Sequence, residues 1–392
     1  MTAANHAAWL DRPYADLTVR EAPTPTPGVD EVLVRNRAVA VNPLDTMKQW
    51  TGSMMYRWLP SPTVLGEDVA GDVVAVGEGV TRFHVGDRVV GYAVGMEKDR
   101  DHVGEGGFQE LTVLRTMLTA PIPDDMSYER AVVLPLGVST AASALFQQDQ
   151  LGLTHPTRSV PPVRGDGVAD ASVRQVAETA GREAVVVWGG STSVGSNAIQ
   201  LATAAGYDVV TTASPRNHER ALALGATAVF DYRSPTVVQD VVAALRGRRV
   251  AGVLAVGVGS GDPAVAIAAG TGAERVALAS PSVSFESLPR LSGPSLRFVR
   301  VIAGLVGGNV ALQVRARSRG IRVRFVWGSS LMGNEVGPML WERYLPGALA
   351  DRSFVPSPEP LVVGTGLASV QTGFDVLRRG VSAQKVVVLL DA

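Results

Sequence analysis

The run Val185-Val-Val-Trp-Gly-Gly-Ser-Thr-Ser-Val-Gly-Ser196 constrains this chain more than any other segment. A short strand that is apolar throughout is buried on both faces, so it needs a sheet beside it and helices above and below. The neighbouring sequence supplies both. Apolar strands at Ala184–Trp188, Asp208–Thr212, Ala228–Asp231, Val250–Val256, Arg275–Ser280 and Ile321–Trp327 alternate with helical segments, among them Ser196–Ala205, Asn217–Leu224 and Val237–Leu245. The pattern predicts an α/β fold with a doubly wound parallel sheet of six strands.

Ahead of about residue 127 the pattern is different. Glu31–Val41, Val69–Val76, Asp87–Tyr92 and Phe108–Val113 are short strands between Gly and Pro turns, which predicts a β-rich barrel or sandwich. After about residue 333 come a Pro-rich stretch at Phe354–Pro360, a helix at Ala368–Arg379 and a strand at Lys385–Leu390. The expected division is a first part of the β-rich domain at 1–135, the sheet domain at 136–333 and a return segment at 334–392 that completes the first domain. Residues 156–170, polar and rich in Pro and Gly, read as a surface loop insertion.

Lys plus Arg total 36 against 37 Asp plus Glu, so nothing in the balance favours nucleic acid or an anionic membrane, and the expected partner is a small molecule. Cysteine is absent, which removes disulfides, thiol nucleophiles and thiolate metal ligands together. Met1–Asp11 has no cationic segment leading into an apolar one, and no later run holds about 18 uninterrupted apolar residues. A soluble cytoplasmic protein is the expectation.

Small residues between a buried strand and a helix let a backbone approach a pyrophosphate closely, and the free N–H groups and positive dipole end of the helix stabilise the anion. Gly189, Gly190 and Gly195 meet the steric demand; Ser191, Thr192 and Ser193 add hydroxyl donors, with Val194 in the same turn. Taken alone, the motif is equally a plain glycine-rich turn; the repeated strand-helix units around it favour dinucleotide binding. An acidic residue at the end of the second strand would hold the ribose 2′-hydroxyl of NAD. Here that strand runs into Thr211-Thr-Ala-Ser-Pro-Arg-Asn-His218, where Ser214 and Arg216 suit the 2′-phosphate of NADPH instead. The plainer reading of Arg216 is a solvated charge at a helix start.

The segment Val64–Gly91, with glycines 66, 71, 77, 86 and 91 and the pair Asp87-Arg88, resembles the signature of medium-chain dehydrogenases and quinone oxidoreductases. Asn42-Pro-Leu-Asp45, Gly106-Gly-Phe-Gln-Glu110, Leu224-Gly-Ala226, Asp231-Tyr232 and Gln384-Lys-Val-Val387 extend the likeness in order along nearly the whole chain. The resemblance implies a GroES-like catalytic domain split around a Rossmann domain. Zinc-dependent members carry a Cys and a Gly-His-Glu motif; here Pro43 stands in the region of the first and Gly66-Glu67-Asp68 at the second, and the five histidines show no ligand spacing, so no metal is expected. Within the zinc-free branch, Trp188–Gly195 with Asn42–Lys48 looks most like enoyl reductases acting in trans with polyketide synthases.

That likeness implies hydride transfer from NADPH to a conjugated enone, quinone or enoyl thioester. By position, Asn42 and Thr140 would line the nicotinamide pocket, Lys48 would stabilise the enolate oxygen or relay a proton, and Lys385 would bind cofactor at the cleft. Tyr232 would pack by the adenosine phosphate. The plainer reading of Lys48 is a solvated helix residue, and Tyr232 reads equally as strand-end packing. The arginines at 315, 317, 319, 322 and 324 form a basic cluster, either plain solvated charge or an attractor for the phosphate of a carrier-protein arm or of CoA. The edge strand Ile321–Trp327 is open to pairing with a second copy, so a homodimer is a further expectation. The competing function is a catalytically idle NADPH-binding protein.

Overall fold

In the computed structural model, residues 4–54, 56–156, 182–280 and 296–390 are described, without the side chains of 296–298 and 301. The insertion expected at 156–170 lies, from residue 157 on, outside them.

The chain opens with a hairpin, β1 (Asn5–Leu10) and β2 (Thr18–Ala22), followed by the long strand β3 (Glu31–Val41), the helix α1 (Pro43–Thr51) and the strands β4 (Thr63–Val64), β5 (Asp68–Val76), β6 (Arg88–Tyr92), β7 (Leu111–Arg115) and β8 (Thr119–Pro121). Neither the hairpin nor α1 is apparent in the sequence pattern. The helix is set locally: Pro43 fixes the first helical φ, and the Asp45 carboxyl accepts the Asn42 N–H at 2.6 Å. β3 is the spine of the domain, pairing antiparallel with β5 on one side and with β7 and the C-terminal strand on the other. Gly71 sits where β5 crosses it; a Cβ there would overlap the Arg35 carbonyl oxygen.

Two helices, α2 (Tyr128–Ala131) and α3 (Pro135–Phe146), carry the chain into the second domain. The stretch Tyr128–Phe146 is long and apolar enough to cross a membrane, but 89% of its apolar 18-residue window is buried inside the protein, which is the behaviour of a core helix. Then follow β9 (Ala184–Trp188), α4 (Ser193–Ala204), β10 (Asp208–Ala213), α5 (His218–Ala223), β11 (Ala226–Asp231), α6 (Val237–Ala244), β12 (Val250–Ala255), α7 (Gly261–Thr271), β13 (Arg275–Leu278), α8 (Leu296–Arg317) and β14 (Arg322–Phe325). The six strands form one parallel sheet in the order β11-β10-β9-β12-β13-β14. Helix α8, 22 residues long, is hidden in the sequence by Gly304, Gly307 and Gly308, each of which lowers helix propensity by about 1 kcal/mol.

The tail returns to the first sheet. β15 (Glu359–Thr365) pairs with β16 (Gln384–Leu389), and β16 pairs antiparallel with β3, Val386 opposite Val41. The helix between them, Ser369–Arg379, plugs the barrel with Phe374, whose ring meets Phe108 edge-on at 5.8 Å. One apolar core, running from β6 and β8 through α3 to α4 and Trp341, is shared by both domains, which fixes the cleft between them.

Phe374 is fully buried, so Phe374→Ala is expected to lower unfolding free energy by about 3–5 kcal/mol in urea titrations. Val19→Ala, on the exposed hairpin, is expected to change it by less than about 0.5 kcal/mol.

Candidate functional site

The ends of β9, β10, β11 and β12 open towards the β-rich domain, as ligand sites do in doubly wound sheets. A cavity of about 710 Å³ lies there. One part of its wall is the strand-to-helix turn. Gly189 holds a φ of +88° that a side chain would strain, and Thr192 caps α4 by accepting the Gly195 N–H at 3.0 Å. Gly189, Ser191, Thr192, Ser193 and Val194 line the cavity. Gly190 and Gly195 do not: a Cβ on Gly190 would overlap the Thr211 hydroxyl, and one on Gly195 the Gly189 carbonyl oxygen, so their task is close packing of strand against helix. The Ser193 hydroxyl is buried and has no hydrogen-bond partner among the described residues.

Ser214, Arg216 and Tyr232 line the same cavity at the ends of β10 and β11. Arg216 is exposed and makes no ion pair among the described residues. At the other end, Asn42, Thr140 and Lys385 meet Leu44, Met47, Leu136 and Trp327. The antiparallel register of β16 on β3 is what sets Lys385 beside Asn42.

Asn42 and Lys385 are both held by a carboxylate, Asp68, whose only mark in the sequence is its place in Gly66-Glu67-Asp68 where the metal motif would stand. Asp68, fully buried, accepts Lys385 Nζ at 2.7 Å and Asn42 Nδ2 at 2.9 Å on one oxygen, and the Leu136 N–H of α3 at 2.7 Å on the other. Lys385 Nζ also donates to Asn42 Oδ1. Lys385 therefore lines the cavity with its ammonium already committed to the protein. Asp45 accepts from Asn42 as well; burial first, and then the charge of Asp68, push its carboxyl up to about 8, so it keeps its proton at neutral pH. Glu67 is pushed well above the usual carboxylate range by burial and by Asp45 and Glu97; it accepts the Tyr92 hydroxyl at 3.3 Å.

Trp327, another residue with no sequence signal, belongs to the wall. Its Nε1 donates to both oxygens of Glu97, at 2.9 and 3.1 Å, joining the two domains across the cleft. Lys48 does not join the group. It is 1% exposed, its Nζ donates to the carbonyls of Tyr56 and Leu59 at 2.9 Å each, and it is no part of the cavity lining. The expectation that Lys48 meets an enolate is corrected accordingly: a buried ammonium takes the nearest acceptors, and here these are the carbonyls of the loop that follows α1.

Lys385→Met leaves Asp68 buried without its cation and is expected to cost about 3–5 kcal/mol, part of which Asp68→Asn in the same chain restores, as a double-mutant cycle will show. The raised Asp45 carboxyl sets a pH dependence. Between about 4, where an unfolded Asp loses its proton, and about 8, the folded chain holds one proton more than the unfolded chain. Stability from this group therefore falls as pH rises through that window. Asp45→Asn is expected to flatten the decline in denaturation midpoints measured across it.

Residues 28–124 match the alcohol dehydrogenase GroES-like domain. Over 388 residues the chain is 45% identical to the dehydrogenase pigH of Monascus ruber, covering 98% of this chain and 99% of the relative. It is 36% identical to the trans-enoyl reductase himH of Aspergillus japonicus, covering 98% and 97%. The quinone oxidoreductase of Coxiella burnetii has the same fold, with a TM-score of 0.65 at 21% identity over 99% of this chain and 100% of that one. A split β-rich domain around a doubly wound sheet, with full-length likeness to dehydrogenases and trans-enoyl reductases, shows that this chain belongs to the medium-chain dehydrogenase/reductase superfamily of oxidoreductases.

Proposed function

We propose that this chain is a zinc-independent, NADPH-dependent reductase of a double bond conjugated to a carbonyl, in an enone, a quinone or an enoyl thioester. The observation that carries the reading is one cavity that joins the glycine- and hydroxyl-lined start of α4 to an apolar end with a buried polar corner. The residues present suit the cofactor. The Ser193 hydroxyl awaits an acceptor, Gly189 gives backbone access, and Ser214 and Arg216 stand at the end of β10 in place of a carboxylate. The name borne by himH, a trans-enoyl reductase, points to the same chemistry.

NADPH, when bound, supplies the hydride. Leu44, Met47, Leu136 and Trp327 keep water from the reacting end. Thr140, whose hydroxyl makes no hydrogen bond among the described residues, donates to the substrate carbonyl, while Asp68 holds Asn42 and Lys385 rigid beside it. Among the described residues no group of three or more His, Asp or Glu side chains is placed to hold a metal, and the chain has no cysteine, so the donor set offers hydrogen bonds in place of a Lewis acid.

The test is oxidation of NADPH and NADH followed by absorbance with quinones, enones and a small enoyl thioester, with and without a chelator. Chelator-resistant turnover with a preference for NADPH is expected. Arg216→Ala is expected to raise KM for NADPH about 10- to 100-fold, the loss of a charge-assisted contact, with KM for NADH little changed. Tight NADPH binding without reduction of any acceptor would make the chain an idle binder; chelator-sensitive turnover would overturn the metal-free mechanism.

A further inference from the structure

Helix α8 is apolar on two sides. Leu312 and Ala316 are buried against the six-stranded sheet, and Ile302 and Leu305 pack towards the β-rich domain. On the opposite side Val306, Val310 and Val314, one helical turn apart, are exposed. Such a stripe adds nothing to the stability of the chain alone, and contiguous exposed apolar surface marks contact sites. Beside it the chain concentrates positive charge. Arg317, Arg319, Arg322 and Arg324 are all exposed at the end of α8 and along β14, although the net charge of the whole chain is only −1. Arg324 pairs with Asp149 at 3.3 Å, whereas Arg317, Arg319 and Arg322 have no ion pair among the described residues. A groove of about 670 Å³ runs past Arg317, Arg322 and Arg324 to Phe325. Phe325 also lines the proposed cofactor cavity, so the basic groove and that cavity share one wall.

We propose that this face docks an acidic carrier protein, whose covalently held acyl thioester reaches the cavity along the groove beside Phe325. The inference rests on the enoyl-thioester form of the reading above and names the partner that would deliver the substrate. An apolar stripe with a charged border has the anatomy of a protein interface, and the uncompensated arginines select a negatively charged partner. A second copy of this chain fits poorly. β14 is an edge strand of its sheet among the described residues, but antiparallel self-pairing about Val323 sets Arg322 of one copy against Arg324 of the other.

The experiment compares one enoyl group, crotonyl, on an acidic acyl carrier protein and on a small soluble thiol. The variant is Arg317→Glu, Arg319→Glu and Arg322→Glu together, with Val310→Ser/Val314→Ser as a second that keeps the charges. Each is expected to raise KM for the carrier-borne substrate by about tenfold or more, leaving kcat and the small thioester unchanged. Added salt is expected to do the same to the parent chain. Unchanged KM in both variants, or equal losses on both substrates, overturns the proposal. Anisotropy of labelled carrier protein on the NADPH-loaded chain separates the two readings. Carrier binding without reduction of either thioester removes the reductase and keeps the docking face; reduction of the small thioester without carrier binding does the opposite. A parent chain that sediments as a dimer and variants that sediment as monomers assign the face to a second copy, and binding to anionic lipid vesicles in place of the carrier assigns it to a membrane; either overturns the proposal.

Discussion

The buried carboxylate of Asp68 is the interaction on which the site depends. It sits at the start of β5, accepts an N–H from the first turn of α3, and holds Lys385 of β16 and Asn42 ahead of α1. Four segments distant in sequence therefore meet at two oxygen atoms. A charge in that position is tolerable only because every donor around it is in place, which gives the polar corner of the cavity its rigidity. The neighbouring carboxyl of Asp45 cannot also ionise at neutral pH, since burial and the Asp68 charge both oppose it. The corner thus holds one negative charge and one positive, with a protonated acid alongside.

The rest of the cleft follows from how the two domains share a core. Helix α3, buried along its full length, packs on α4 and passes beneath β6, so it belongs to both domains and carries Leu136 and Thr140 to the cavity. On the far side Glu97 and Trp327 close the gap with a pair of hydrogen bonds from one indole N–H. An apolar wall with a polar corner is the arrangement on which the proposed reduction of a conjugated carbonyl rests.

Much of this was legible beforehand for a physical reason. Parallel strands buried on both faces must be apolar throughout, and the glycines between β9 and α4 are demanded by backbone crowding at one turn, so six strands and the strand-to-helix turn are written in local residues. The side-chain roles were less so. The sequence pattern sets Gly190 and Gly195 at the ligand, whereas in the fold they pack strand on helix, and the family likeness sets Lys48 at the substrate, whereas its ammonium donates to the carbonyls of Tyr56 and Leu59. In each case the residue type fixes the local chemistry, and the fold fixes the direction in which the group points. Three glycines obscure the period of helix α8 in the sequence, although it packs on both domains.

By itself the sequence determined the alternation of elements, the strand-to-helix turn, the absence of thiol chemistry and the lack of an acidic residue after β10, because each depends on residues within a turn or two of one another. Only the tertiary structure decided that Asp68 would join Asn42, Lys385 and α3, that Trp327 would form part of the wall, and that the arginines of α8 and β14 would border an exposed valine stripe. Those contacts arise from chain segments tens to hundreds of residues apart, brought together by the pairing of β16 on β3 and by the shared core around α3. Burial then fixed the protonation of Asp45 and left the Ser193 hydroxyl without a hydrogen-bond partner among the described residues, properties that belong to the folded environment rather than to the residue type.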